Sequence, residues 1–138
     1  MYILDTNICI YTIKRKFEFL LEKMKENRSS GLSISSITLA ELEHGVANSM
    51  YPERNGIALL EFLSAVNVMP FDKLAAKEYG VIKTDLKKRN CIIGPLDTLI
   101  AAHAKSLNLV LVTNNFKEFS RVQGLKLEDW AKQQTEAT

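Results

Sequence analysis

Short apolar runs, each ended by a polar residue and followed by an amphipathic stretch of helical period, constrain this chain more than any other feature. Tyr2-Ile3-Leu4 stops at Asp5-Thr6-Asn7, Leu32 to Ser35 stops at further hydroxyl residues, and Leu109-Val110-Leu111-Val112 stops at Thr113-Asn114-Asn115. Runs of three or four apolar residues suit strands buried on both faces, and the cap-forming residues after them suit helix starts. Ile8, Ile10, Tyr11 and Ile13 continue the first unit as a helix. Phe17, Leu20, Leu21 and Met24 give a second helix over 17–27, broken at Ser29-Ser30-Gly31.

Further along, Ser36 or Thr38 is placed to cap a third helix running through Val46. Pro52 opens a fourth, whose apolar face is expected to carry Leu59, Leu60, Leu63 and Val66. Asn67 to Phe71 reads as extended, and Asp72 opens a long helix carrying Ala75, Tyr79, Ile82 and Leu86. Gly94-Pro95 interrupts that helix and starts another, marked by Leu96, Leu99, Ile100, Ala104 and Leu107. A weak strand candidate covers Leu125 to Leu127, Trp130 is expected to pack on the body, and 134–138 is expected to fray. Strands alternating with helices predict a single α/β domain over 1–138, with a mainly parallel sheet of four to five strands and helices on both faces.

With 138 residues, 46% of them hydrophobic, the core can hold without disulfides. Cys9 and Cys91 lie among apolar neighbours, lack any C-x-x-C pattern and read as reduced thiols of a cytoplasmic protein. No stretch of about 18 apolar residues occurs, so a membrane span is not expected, and Asp5 breaks any signal-peptide pattern. The balance of 18 basic and 16 acidic residues leaves a net charge of only +2, which settles nothing about nucleic acid. Two basic clusters are local: Lys14-Arg15-Lys16, and Lys83 with Lys87-Lys88-Arg89. Such clusters also complement helix C-termini.

In an open parallel sheet the binding crevice lies beyond the carboxyl ends of the strands. Asp5, Glu41, and the group Asn114, Asn115 and Glu118 fall there, and Asp97 stands in the first turn of its helix. Each has a plain structural role available: Asp5 as a cap, Glu41 as capping-box partner of Thr38, Asp97 as a first-turn acid, Glu118 as a surface charge. Their shared rim favours a site. Crowded carboxylates raise one another's pKa unless a cation neutralises them, and oxygen-only ligands suit Mg²⁺ or Mn²⁺ rather than Zn²⁺. Such ions handle phosphates, so phosphodiester hydrolysis is the expected reaction. His44 and His103 lie on helices without a paired acid and are not expected as bases. No nucleophile elbow or phosphate-cradling glycine loop is present.

The residues resemble the PIN-domain ribonucleases, and among them the VapC toxins of prokaryotic type II toxin–antitoxin systems. The resemblance rests on Leu4-Asp5-Thr6-Asn7, on Ile37-Thr38-Leu39-Ala40-Glu41-Leu42 with Gly45, on Ile93-Gly94-Pro95-Leu96-Asp97-Thr98-Leu99-Ile100-Ala101-Ala102, and on Val112-Thr113-Asn114-Asn115 through Glu118-Phe119. It implies a pocket holding one or two Mg²⁺ or Mn²⁺ ions, with Asp5, Glu41 and Asp97 as the central metal-binding acids. Many relatives carry an aspartate where this chain has Asn115, and Glu118 is assigned as the fourth carboxylate. Thr6, Asn7, Thr113 and Asn115 are assigned as supports that orient acids or water.

The resemblance also implies an RNA substrate, transfer RNA cut in the anticodon loop being typical, an antitoxin of the VapB type, and a homodimer. Lys14, Arg15, Lys83, Lys87 and Arg89 are then the candidate lining for the phosphate backbone. The first two helices and the Tyr79 helix are candidate groove walls for a partner, or simply core. Two other classes remain open on the residues: a catalytically weak module binding RNA or antitoxin, and an aspartate-nucleophile phosphotransferase, which Asn7 disfavours.

Overall fold

The computed structural model describes residues 1–132; the tail expected to fray lies outside them. Five parallel strands form one sheet in the order β3-β2-β1-β4-β5. These are β1 (Tyr2–Leu4), β2 (Leu32–Ser35), β3 (Asn67–Met69), β4 (Val110–Val112) and β5 (Leu127–Glu128). Seven helices are described: α1 (Thr6–Ile13), α2 (Glu18–Glu26), α3 (Ser36–Ala47), α4 (Pro52–Leu63), α5 (Lys73–Lys88), α6 (Pro95–Leu107) and α7 (Phe116–Phe119). Among the described residues no helix is long and apolar enough to cross a membrane.

The alternation of side chains along a strand explains the two cores. Leu4 and Val112 point to the face covered by Ile8, Leu20, Leu42, Leu59 and Phe62. Their neighbours Ile3 and Leu111 point to the opposite face, with Ile82, Leu86, Ile100 and Phe119. β1 is central and pairs with β2 on one side and β4 on the other, Leu4 lying beside Val112. That register places Asp5 and Thr113, the residues after these two strands, side by side.

Helix α6 runs through the second core, and Ala101, Ala102 and Ala104 are fully buried. Small side chains let it approach the sheet closely. His103 is buried with them. Ser35 Oγ accepts from the Ile37 N–H at 3.0 Å and shares a second hydrogen bond with His103 Nδ1, 2.7 Å away. Burial holds the ring's pKa below the usual imidazole value. The ring ties α6 to the end of β2, away from acid–base work.

Three local expectations are corrected. The cap of α3 is Ser35, not Ser36 or Thr38, because the Ser35 side chain reaches the Ile37 amide. Leu60 and Leu96 are exposed, whereas Phe62 covers the core from α4. Helical spacing marks an apolar face, but a neighbouring face one residue away fits almost as well. The tail strand β5 pairs with β4 over Leu127–Glu128, slightly later than expected, and Trp130 is buried with its ring edge-on to Tyr2.

Candidate active site: a carboxylate pocket at the strand ends

Asp5 leaves β1 and caps α1. Its Oδ1 accepts from the Ile8 N–H at 2.9 Å, and its Oδ2 takes a short hydrogen bond from the Thr113 hydroxyl. Thr113 is itself fully buried and its Oγ1 accepts from the Asn115 N–H at 2.9 Å. One carboxylate oxygen is thus fixed by the first turn of α1 and the other by the residue that follows β4. Burial pushes the Asp5 pKa up to about 6, against the two hydrogen bonds that favour the ionised form; the charges of Glu41 and Asp129 add to the rise.

Glu41 lies in the second turn of α3, and its Oε1 accepts from the Thr6 hydroxyl at 2.7 Å. Thr6 also reaches Thr38 Oγ1 at 3.3 Å. The Thr38–Glu41 spacing therefore is not a capping box: Thr38 is a buried helical residue, and both face the start of α1. Asp97 enters from the first turn of α6, after Gly94, where a Cβ would come within 3.6 Å of Asp97 Oδ2. Its carboxyl meets that of Glu118 on α7. Burial, then the contact with Glu118 and its charge, then Asp5 and Glu41, raise the Asp97 pKa to about 7. Asn115 Nδ2 donates to Glu118 Oε2 at 3.3 Å, so Asn115 steadies the acid rather than standing in for it.

Asn7 is exposed at the start of α1. Asn114 donates to Tyr11 OH at 3.3 Å. Thr38 and Asp129 were missed. Asp129 follows β5, so the rule that singled out Asp5 applies to it too, but a two-residue strand gives too faint a pattern to prompt the search. The basic residues divide: Lys14 borders the hollow that Glu41 borders, while Lys83 borders another against the start of α6. Arg15, Lys83 and Lys87 are exposed. Arg89 is engaged otherwise, with NH2 at 2.6 Å from Asp85 Oδ2 and 2.5 Å from the Arg121 carbonyl.

Among the described residues no three acid, histidine or cysteine side chains stand as a finished cage for one ion. Glu41 is turned to Thr6, Asp5 to Thr113, and Asp97 to Glu118. The donor set nevertheless fits a hard divalent cation: every donor is oxygen, and burial with mutual repulsion raises the pKa of Asp5 to about 6 and of Asp97 to about 7.

A parallel five-stranded sheet with its carboxylates gathered over the ends of β1 and β4 is the arrangement of a PIN domain. The PIN-domain family profile matches residues 2–125. The tRNA(fMet)-specific endonuclease VapC of Salmonella typhimurium is 45% identical over 129 residues, covering 94% of this chain and 97% of that protein. Its namesake from Shigella flexneri is 44% identical over 130 residues, covering 94% and 98%. The crystal structure of VapBC2 from Rickettsia felis bound to a DNA fragment from their promoter contains a chain with a TM-score of 0.90 at 41% identity, covering 94% of this chain and 98% of that one. The chain belongs to the PIN-domain family, in its VapC branch. Members of this family of ribonucleases generally depend on divalent metal.

Proposed function

We propose that this chain is the toxin of a VapBC-type toxin–antitoxin pair, an endoribonuclease that hydrolyses phosphodiester bonds in structured RNA in the cytoplasm, with transfer RNA the first substrate to try. Its active residues are Asp5, Glu41, Asp97 and Glu118, and Mg²⁺ or Mn²⁺ is the cofactor. The observation that carries the reading is the gathering of four oxygen-donor acids, Asp5, Glu41, Asp97 and Glu118, over the carboxyl ends of β1 and β4, close enough that burial and mutual repulsion raise the pKa of Asp5 and Asp97. The names of the relatives and their solution in VapBC complexes support the substrate class and the VapB-type partner.

The four acids would hold the ion, which when bound supplies a Lewis acid for the phosphoryl oxygens and lowers the pKa of water. Asp5 offers a carboxylate fixed at both oxygens by Thr113 and the Ile8 amide. Thr6 keeps Glu41 turned toward the start of α1. In the metal-free protein burial and the Glu118 contact favour a proton on Asp97, which a bound ion would displace. Lys14, Arg15, Lys83 and Lys87, all exposed, are the cations assigned to the RNA backbone, and Arg89 contributes less because Asp85 holds it.

The test is incubation of partner-free protein with total transfer RNA and ribosomal RNA in Mg²⁺, Mn²⁺ or EDTA. Discrete fragments are expected with either ion and none in EDTA or from Asp97→Asn. Metal-independent cleavage that survives in Asp97→Asn would sink the assignment. A folded, metal-loaded protein that binds RNA without cutting it would instead favour the binding module. Thr113→Val is expected to reduce turnover about 10- to 100-fold, because Asp5 loses one of its two donors. Undiminished cleavage by that variant would show that Asp5 needs no such fixing.

A further inference from the structure

Beside the pocket, between α5 and the start of α6, lies a hollow of about 240 Å³ bordered by Tyr79, Lys83, Ile92, Pro95 and Thr98. Pro95 and Thr98 belong to the same first turn of α6 as Asp97, so the turn that carries this proposed catalytic acid also forms one wall of the hollow. Tyr79 and Lys83 are four residues apart on one face of α5. Lys83 Nζ sits 3.1 Å from Tyr79 OH and 5.5 Å from the ring centroid.

The lysine is exposed and has no carboxylate partner, for the ion pair found among the described residues is Arg89–Asp85. A phenol oxygen satisfies one of its three N–H donors, which leaves two for a ligand. Ile92 is exposed at 57%, an apolar wall turned outward. A concave apolar surface, an aromatic ring and an unpaired ammonium together suit a ligand that is planar, apolar on its faces and joined to an anion. An acidic peptide would use the ammonium but not the ring and hollow.

Building on the ribonuclease reading, we propose that this hollow is a subsite for one unpaired nucleotide next to the scissile phosphate. Its base lies against Tyr79 and Ile92, and its phosphate is met by Lys83. Base–aromatic contact tolerates any base, and a single lysine reads charge alone. The subsite therefore selects for an unpaired nucleotide at that position rather than for a sequence.

The experiment compares steady-state cleavage of transfer RNA by the metal-loaded parent and by Lys83→Gln, Tyr79→Leu and Tyr79→Phe at several salt concentrations. Lys83→Gln is expected to raise KM about 5- to 10-fold, to change kcat less than about twofold, and to flatten the log–log salt dependence by about 0.7. Tyr79→Leu is expected to raise KM about 10-fold or more, with Tyr79→Phe within about twofold of the parent, because the ring is retained. Lys83 is exposed, so Lys83→Gln carries the test even where Tyr79→Leu fails to fold. Unchanged KM and salt slope in Lys83→Gln, from a parent that cleaves, overturn the subsite and leave the ribonuclease reading standing. Equal damage from Tyr79→Phe and Tyr79→Leu also overturns it, since the ring face would then not be what binds. A parent that cuts no RNA removes the ribonuclease reading and the subsite with it, before any variant is compared.

Discussion

Asp5→Asn is expected to lower RNA cleavage by about a thousandfold or more, and also to leave the metal-free protein more stable at pH 8 than its parent. Asp5 is only 4% exposed and its folded-state pKa stands at about 6, against an ordinary 3.8. The native state therefore binds this proton more tightly than the unfolded state does. The contribution of this group to stability is greatest below pH 4, falls as pH rises through the window from about 4 to 6, and stays reduced above it. A rise from 3.8 to about 6 corresponds to roughly 3 kcal/mol, an upper bound on what the ionised carboxylate costs the metal-free fold. Asparagine keeps an acceptor for the Ile8 amide and presents an N–H₂ to Thr113 Oγ1, without the buried charge. Melting curves at pH 5 and pH 8 in EDTA, set beside cleavage assays in Mn²⁺, check both halves. Cleavage retained by Asp5→Asn, or a melting temperature at pH 8 well below the parent's, would contradict the account. Asp97→Asn is expected to follow the same direction with a smaller gain, because solvent screens its half-buried carboxyl.

This opposition between stability and function also explains which parts of the site could be read from residue order. Asp5 and Asp97 stand where helix starts and strand ends put them, and those positions follow from local pattern: an apolar run, then a capping residue. β1, β2 and the start of α5 fall where such patterns place them, Asp72 capping through the Leu74 and Ala75 amides. What pairs with what was not legible. The Thr6–Glu41 bond spans 35 residues and the Thr113–Asp5 bond 108, so both exist only after the parallel sheet sets its register. Two misreadings share one cause, namely that neighbouring residues of similar chemistry compete for one role. Ser35 takes the cap that Ser36 or Thr38 could have taken, and Phe62 takes the core place given to Leu60. Arg89 fell outside the pattern for another reason: an i to i+4 aspartate, Asp85, was close enough to claim it.

Divalent metal is expected to bind with an affinity that climbs steeply with pH and then levels off, and the two raised carboxyls set where. Below about pH 6 both Asp5 and the Asp97–Glu118 pair carry a proton, so an ion must displace two, and apparent affinity should rise about 100-fold per pH unit. Between about 6 and 7 only the Asp97–Glu118 proton remains to be displaced, and the slope drops to about tenfold per unit. Above about pH 7.5 it should flatten. Because the ion binds the folded state preferentially, its effect on melting temperature must follow the same curve, small at pH 5.5 and large at pH 8. The ion thus cancels the electrostatic strain that makes the metal-free protein weaker in alkali, so the parent's pH–stability profile should level out in saturating Mn²⁺. Calorimetric titration with Mn²⁺ at pH 5.5, 6.5, 7.5 and 8.0, repeated in buffers of different ionisation enthalpy, counts the protons released. About one proton at pH 6.5 in the parent, and close to none in Asp97→Asn, is the expected pattern. A dissociation constant that stays level from pH 5.5 to 8.0 would mean that these two acids do not face the ion, and the metal site would have to be sought elsewhere on the rim.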